Sequence, residues 1–338
     1  MSHAPIGALI VGAGLMGRWH AHAITASGGS VVGVVDTSAH RAAALAADCR
    51  NAPVFAHLGD ALQSTTPTVV HVCTPLATHG ALIEAALRAD CHVIAEKPLT
   101  ESAAEAEALC ALADARGRYL VPVHQFPFQP GVRDLLARRH ELGTIVHVEL
   151  TMASAGATGT RDADEVVAEI LPHGLSLTQA LLSDIATAPL LDGLPWQVAR
   201  RRAGEWRITA HANDTSVAYL ISMSARPTCA ELRVFGTKAT AMADLFHGYA
   251  VIDAGAATRA SKAGRPFRVA ARSMMAASVN LARRGLRAEL AYPGLQALVH
   301  LAYLAFAGRG AVPISAVALL DVARTRDRLI ALSGWPVP

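Results

Sequence analysis

The chain has 338 residues, 52% hydrophobic and 17% charged, with a formal net charge of +3. Such a chain can hold about two domains with sizeable cores and is not intrinsically disordered, and so small a charge does not by itself argue for nucleic acid. No run reaches the roughly 18 apolar residues of a membrane-spanning helix. The start, MSHAPIGALIVGAG, lacks the charged region and cleavage site of a signal peptide, and the five cysteines form no CxxC pair. A cytoplasmic protein with reduced thiols and no metal site is the expectation.

In chain order, short β-rich runs alternate with alanine-rich helical stretches over the first third. Strands are predicted near 6–11, 31–35, 53–55, 69–73, 92–95 and 119–123, and helices near 16–26, 39–47, 78–89 and 102–116. Continuously apolar strands alternating with helices argue for a parallel sheet covered on both faces, here a doubly wound Rossmann fold. The turn GAGLMG leaves the first strand and opens a helix. Gly12 permits the tight turn, Gly14 admits a pyrophosphate, and Gly17 lets helix and strand pack closely. Leu15 and Met16 begin the helix, whose unpaired N–H groups suit phosphate. Asp36, at the end of VVGVVD, stands where an acid takes the ribose hydroxyls of NAD. A carboxylate there repels the extra phosphate of NADP, although Ser38 and Arg41 leave NADP open as a second cofactor. The alternative for Asp36 is a helix N-cap.

The stretch VIAEKPLT places Glu96, Lys97 and Pro98 at the end of the fifth strand. Ligands of open α/β sheets bind outside the carboxyl ends of the strands, so this spot faces the nicotinamide half of the crevice. Burial there makes an ammonium costly unless Glu96 offsets it. The bland alternative is a surface ion pair.

Several ordered motifs together resemble the glucose-fructose oxidoreductase/inositol dehydrogenase/rhizopine-catabolism (Gfo/Idh/MocA) family. They are GAGLMGRWHAHAI with His20, then Asp36, VCTPLATH, AEKPLT, and LLARRHELGTIVHVEL. The resemblance implies an NAD(P)-dependent oxidoreductase of a sugar, cyclitol or nucleotide sugar. It implies that Lys97 sits beside nicotinamide and substrate, with Glu96 near the cofactor. It also implies that Thr74, Pro75 and His79 line the cofactor crevice, and that the Lys97–Pro98 peptide is cis.

After Val123 the alternation stops and strand-like runs follow one another, at 145–152, 198–202, 207–211, 215–222, 229–235 and 239–246. Many alternate apolar and polar residues, which suggests a largely antiparallel open sheet in an α+β domain. The expected division is a dinucleotide-binding domain over 1–123, a substrate-binding and oligomerisation domain over 124–315, and a last helix over 316–338 that packs back on the first domain. An open sheet of this kind favours a homodimer or homotetramer.

The family's second site is a helix with Asp-x-x-x-His and a further acid. AEILPHGLSLTQALL offers Glu169 and His173, with Ser176 where that acid would be. Pro172 should confine Glu169 to the N-cap and His173 to the first helical turn. His173 suits a general base, and the substrate hydroxyl is expected between Lys97 and His173. A helix-face histidine satisfied by a neighbour is the plainer alternative. His124 and Gln125, in HQFPFQPG, could hydrogen-bond a polyhydroxylated substrate or belong to a rigid linker.

Residues 265–288 carry six arginines and no acid among exposable apolar residues. Three readings stay open: weak contact with an anionic membrane, a grip on phosphates of a nucleotide-linked substrate, or a packed insertion with solvated arginines. Ser176 and this segment also keep open an NAD-binding sensor or membrane scaffold without turnover. Imine or enone reduction on the same fold is a third reading.

Overall fold

A computed structural model describes residues 5–154, 161–182, 190–255, 262–286 and 292–335. The chain forms two compact units: Met1–His124 with Leu295–Arg324, and Gln125–Gly294 with Thr325–Pro338.

The first unit holds a six-stranded sheet of β1 (Gly7–Val11), β2 (Ser30–Val35), β3 (Val54–Phe55), β4 (Val69–Val72), β5 (His92–Ala95) and β6 (Leu120–Pro122). All of its pairings are parallel, in the order β3-β2-β1-β4-β5-β6. Every residue of β4 and β5 is buried, as strands covered on both faces require. The order reverses between β1 and β4, which places the crevice of a doubly wound sheet beyond their carboxyl ends. The helices are α1 (Leu15–Ala26), α2 (Ala39–Asp48), α3 (Leu58–Thr65), α4 (His79–Arg88) and α5 (Ala103–Ala115). Sequence pattern missed α3. It has eight residues, a glycine in its first turn, and only Leu58 and Ala61 buried, so its periodicity is faint. Ser38, not Asp36, caps α2 by accepting from the Arg41 N–H at 3.4 Å.

The second unit holds a seven-stranded sheet of β7 (Ile145–Ala153), β8 (Gln197–Arg202), β9 (Glu205–Ala212), β10 (Thr215–Ser222), β11 (Cys229–Gly236), β12 (Ala239–Asp244) and β13 (Tyr249–Ala254). Its order is β13-β12-β11-β7-β10-β9-β8. Neighbours are antiparallel except β7 and β10, which run parallel from His147–Ser216 to Ala153–Ser222, so the sheet is mixed. β12 stops at Asp244, short of the predicted end. The Asp244 carboxylate accepts from the N–H groups of Phe246 and His247, at 3.0 and 2.9 Å, and turns the chain into β13, a strand the sequence reading missed.

Helix α6 (Pro130–Ala137) precedes β7, and α7 (Ala163–Leu182) follows it. α7 corrects the reading of Pro172, which lies inside a twenty-residue helix rather than near its start. A proline there leaves the carbonyl four residues earlier, that of Ala168, without its helical donor. Arg326 supplies the substitute, with its Nε donating to the Ala168 oxygen at 3.1 Å. Gly174 brings α7 close to the sheet: a Cβ there would lie 2.6 Å from Leu150. The Tyr219 hydroxyl donates to the Gly174 carbonyl at 3.2 Å and meets Thr178 Oγ1 at 2.6 Å.

Helix α8 (Arg265–Leu286) covers the basic segment's described part, and none of its residues is buried. Helices α9 (Pro293–Phe306) and α10 (Ala316–Ser333) complete the chain. From Leu295 onward α9, expected with the second domain, lies in the first unit, and α10 contributes to both units. Among the described residues, no helix is long and apolar enough to cross a membrane.

Candidate functional site

The glycine turn is sterically specified. Gly12 has φ of +101°, and a Cβ there would lie 2.7 Å from the Cys73 carbonyl oxygen. At Gly17 a Cβ would fall 2.0 Å from the oxygen of Gly12, so any side chain would force helix and turn apart. Gly14 is different: nothing lies within 4 Å of an added Cβ. That open space at the N-terminus of α1 is where a diphosphate can approach the backbone.

Beside the turn is a cavity of about 820 Å³. Gly12, Gly14, Leu15, Met16, Asp36 and Thr74 wall it, and Pro75 joins them. Asp36 is fixed at one end. Its Oδ2 accepts from the Ala13 N–H at 2.8 Å; its Oδ1 accepts from the Ser38 N–H at 2.7 Å and from Arg41 at 3.0 Å. Burial would raise the acid's pKa, but the Ser38 and Ala13 amides and the Arg41 guanidinium outweigh it and hold the carboxyl below its ordinary value. Oδ2 keeps one acceptor position for a ribose hydroxyl. A nearby open cradle and a fixed carboxylate together fit NAD.

Gly17, His79, Glu96 and Lys97 are not among the lining residues. His79 lies behind the wall, buried. Its Nε2 meets the Thr74 carbonyl at 2.8 Å, and its Nδ1 meets the Pro98 and Leu99 carbonyls at 3.0 and 3.2 Å. It ties the Thr74–Pro75 loop to the loop after β5, instead of presenting itself to a ligand.

Glu96 is buried at the end of β5, and Lys97 is half-buried. The Lys97–Pro98 peptide is cis, as the resemblance implied. His20 Nε2 lies 3.2 Å from Glu96 Oε1, and the Lys97 N–H donates to Oε2 at 3.3 Å. Burial would raise the Glu96 pKa, but His20 and then Lys97 hold it below the usual value. His124 is buried in the first unit, within reach of both charges. Burial and then Lys97 lower its pKa to about 4, against an opposing pull from Glu96. The imidazole is therefore neutral near pH 7.

The other predicted residues lie in the second unit. His173 is buried and stacks on Phe126, with ring centroids 4.2 Å apart. Glu169 pairs with Arg161. The Ser176 hydroxyl donates back to the His173 carbonyl at 3.1 Å. Gln125 is buried, and its Oε1 has no hydrogen-bond partner among the described residues. Sequence reasoning missed Asp164, whose carboxylate accepts from Arg200, the Gly204 N–H and the Trp206 indole. It is a structural hub of the second unit. It also missed His71, whose signal was a histidine inside the apolar strand VVHV.

Comparison with known proteins agrees with this geometry. Residues 6–124 match the model of the GFO_IDH_MocA oxidoreductase family, NAD-binding Rossmann fold. A curated UDP-N-acetylglucosamine 3-dehydrogenase of Acidithiobacillus ferrooxidans is 33% identical over 174 residues, 51% of this chain and 53% of that protein. Inositol 2-dehydrogenase 4 of Saccharopolyspora erythraea is 30% identical over 193 residues, 56% of this chain and 57% of that one. The chain thus spans little more than half the length of these relatives. The crystal structure of the Acidithiobacillus ferrooxidans enzyme GnnA superposes with a TM-score of 0.74 over 98% of each chain, at 22% identity, a likeness of fold. The likeness to the Gfo/Idh/MocA family is carried by the NAD-binding region, residues 6–124.

Proposed function

We propose that the chain is an NAD-dependent dehydrogenase acting on a CH–OH group of a sugar, cyclitol or nucleotide sugar, working in the cytoplasm. The observation that carries this reading is the Glu96–Lys97 pair: a half-buried lysine whose charge acts on a buried carboxylate, at the strand end of an NAD-binding sheet. Two curated relatives, named for UDP-N-acetylglucosamine and inositol, support the substrate class.

Bound NAD would supply the hydride acceptor. In this proposal Lys97 binds and orients the hydroxyl oxygen, while the His173 imidazole takes the hydroxyl proton, with Glu169 setting the charge four residues before it. His124, Gln125 and Ser176 are assigned to the substrate's other hydroxyls. NADP is the weaker fit, because Asp36 repels an added phosphate.

The test is NADH formation on a panel of myo-inositol, UDP-N-acetylglucosamine and simple hexoses. Turnover is expected with at least one of them. Lys97→Met should lower it by about 100-fold or more and His173→Ala by about 10-fold or more, with NAD affinity kept. Undiminished turnover in Lys97→Met overturns the assignment. NAD binding with no turnover across the panel would favour the sensor reading.

A second proposal rests on α8: it meets an anionic membrane surface. Phe267, Met274 and Leu281, spaced by seven residues, are 80%, 69% and 72% exposed. Arg265 instead pairs with Asp253 and Asn280 bonds the His247 carbonyl, so the helix grips the sheet by its polar side. Five arginines and no acid between residues 265 and 286 would repel a second copy of the helix and attract anionic lipid. Sedimentation with phosphatidylglycerol vesicles should show salt-sensitive binding that phosphatidylcholine vesicles do not. Equal sedimentation with both, or none with either, rejects it.

A further inference from the structure

Behind Glu96 lies a chain of polar side chains that the proposed reaction does not use. His20 Nδ1 lies 2.7 Å from His71 Nδ1, and His71 Nε2 lies 2.9 Å from the Tyr303 hydroxyl. His20 and His71 are fully buried, and Tyr303 is 4% exposed. All belong to the first unit, on α1, β4 and α9.

Proton counting fixes the direction of every bond. The Tyr303 hydroxyl has one polar partner among the described residues, His71 Nε2. A buried O–H without an acceptor is costly, so Tyr303 donates and Nε2 accepts. His71 is then neutral with its proton on Nδ1, which it donates to His20 Nδ1. His20 in turn carries its proton on Nε2 and donates it to Glu96 Oε1. Reversing any one bond would strand a proton or set two donors against each other. Burial points the same way: it favours neutral His71 and holds the Tyr303 proton in place. The only ionised member is the carboxylate at the end.

We infer that His71 and Tyr303 are positioning residues of the Lys97 site: with His20 they form a one-way series of donated protons that ends on Glu96 and keeps that carboxylate charged and immobile beside Lys97. The series ends blind at a buried phenol, so it aligns and does not conduct. Its catalytic meaning rests on the proposed role of Lys97.

NMR of the full chain tests the arrangement without any substrate. Histidine nitrogen shifts should report the Nδ1–H tautomer at His71 and the Nε2–H tautomer at His20. The groups facing Glu96 are His20, Cys73, Lys97 and His124. Carboxyl carbon shifts followed against pH should place its titration below the ordinary glutamate value. Tyr303→Phe should move that titration upward by roughly half a unit or more, since a weakened hydrogen bond favours the charged form less. His71→Asn, whose amide N–H replaces Nδ1–H, should stay near wild type, while His71→Val should not. An Nε2–H tautomer at His71, or the same Glu96 titration in wild type and Tyr303→Phe, overturns the inference; the phenylalanine variant decides if His71→Val fails to fold. A Lys97→Met enzyme that keeps turnover would sink the catalytic reading and leave this series standing.

Discussion

The two units use sheets differently. In the first, all strands run parallel, β4 and β5 are buried on both faces, and the candidate site residues gather where strands end: the glycine turn after β1, Asp36 after β2, Thr74 after β4, Lys97 after β5. In the second, strands alternate buried and partly exposed residues, as in β10, and α7 lies against one face. A parallel sheet must loop back after each strand, so chemistry collects at one edge. A mostly antiparallel sheet spreads its polar residues over a face. Substitutions in the first unit should therefore separate ligand binding from stability, whereas those in the second should act on stability unless they touch the proposed base.

The largest effect should come from the glycine turn. Gly17→Ala drives a methyl into the Gly12 carbonyl. It should cost on the order of 3 kcal/mol or more and abolish NAD binding, read by urea melts and calorimetry. Gly14→Ala meets no protein atom within 4 Å. It should melt within about 1 kcal/mol of wild type yet weaken NAD by roughly 10-fold or more, because the methyl fills the phosphate cradle. Equal stability losses in the two variants would break the distinction.

Acid should divide the units next. His124 is neutral in the fold, lowered to about 4 by burial and then Lys97, and His92 is lowered to about 4 by burial and then Arg118. The unfolded chain binds these protons from about pH 6.5 downward, so first-unit stability is full above that value and falls towards pH 4. For His124 the loss approaches about 3 kcal/mol. Asp164 behaves otherwise. Burial raises its pKa, but Arg200, the Gly204 amide and Trp206 outweigh it and hold it below the ordinary value. Its contribution is present above about pH 3.9 and is lost below that. Hydrogen exchange followed from pH 7 to pH 4 should therefore loosen β5 and β6 before β9.

Arg326→Met, a smaller change, should cost about 1–3 kcal/mol in the second unit by leaving the Ala168 carbonyl without its donor. Combining it with Pro172→Ala should recover part of the loss, since the helix then supplies its own N–H. A cost unchanged in the double variant would show that the arginine acts in some other way.

How much of this was legible divided along the same line. The first unit could be read strand by strand, because parallel strands buried on both faces are continuous apolar runs and the glycine turn carries its steric reason in its spacing. Asp36 and the Glu96–Lys97 pair were legible from their distance after strands. His79 was expected to line the cofactor crevice and does not; its part as a clasp between loops depends on which carbonyls face it, and spacing cannot state that. The second unit was less readable. The parallel pairing of β7 with β10 joins residues about 70 positions apart, as His147 with Ser216 shows. Pro172 misled because its remedy comes from Arg326, which reaches the Ala168 carbonyl across 158 residues of chain. Tyr303 stood in an ordinary apolar helix, and only its meeting with His71 gives it meaning.

That distant arginine bears on how the molecule is made. Neither sheet can finish with the residues synthesised beside it: the first awaits 295–324, and the second awaits Arg326 in the last helix. Both bodies therefore stay unfinished while the ribosome is still adding residues 295–326, and a nascent chain halted before residue 295 should remain open to protease in both.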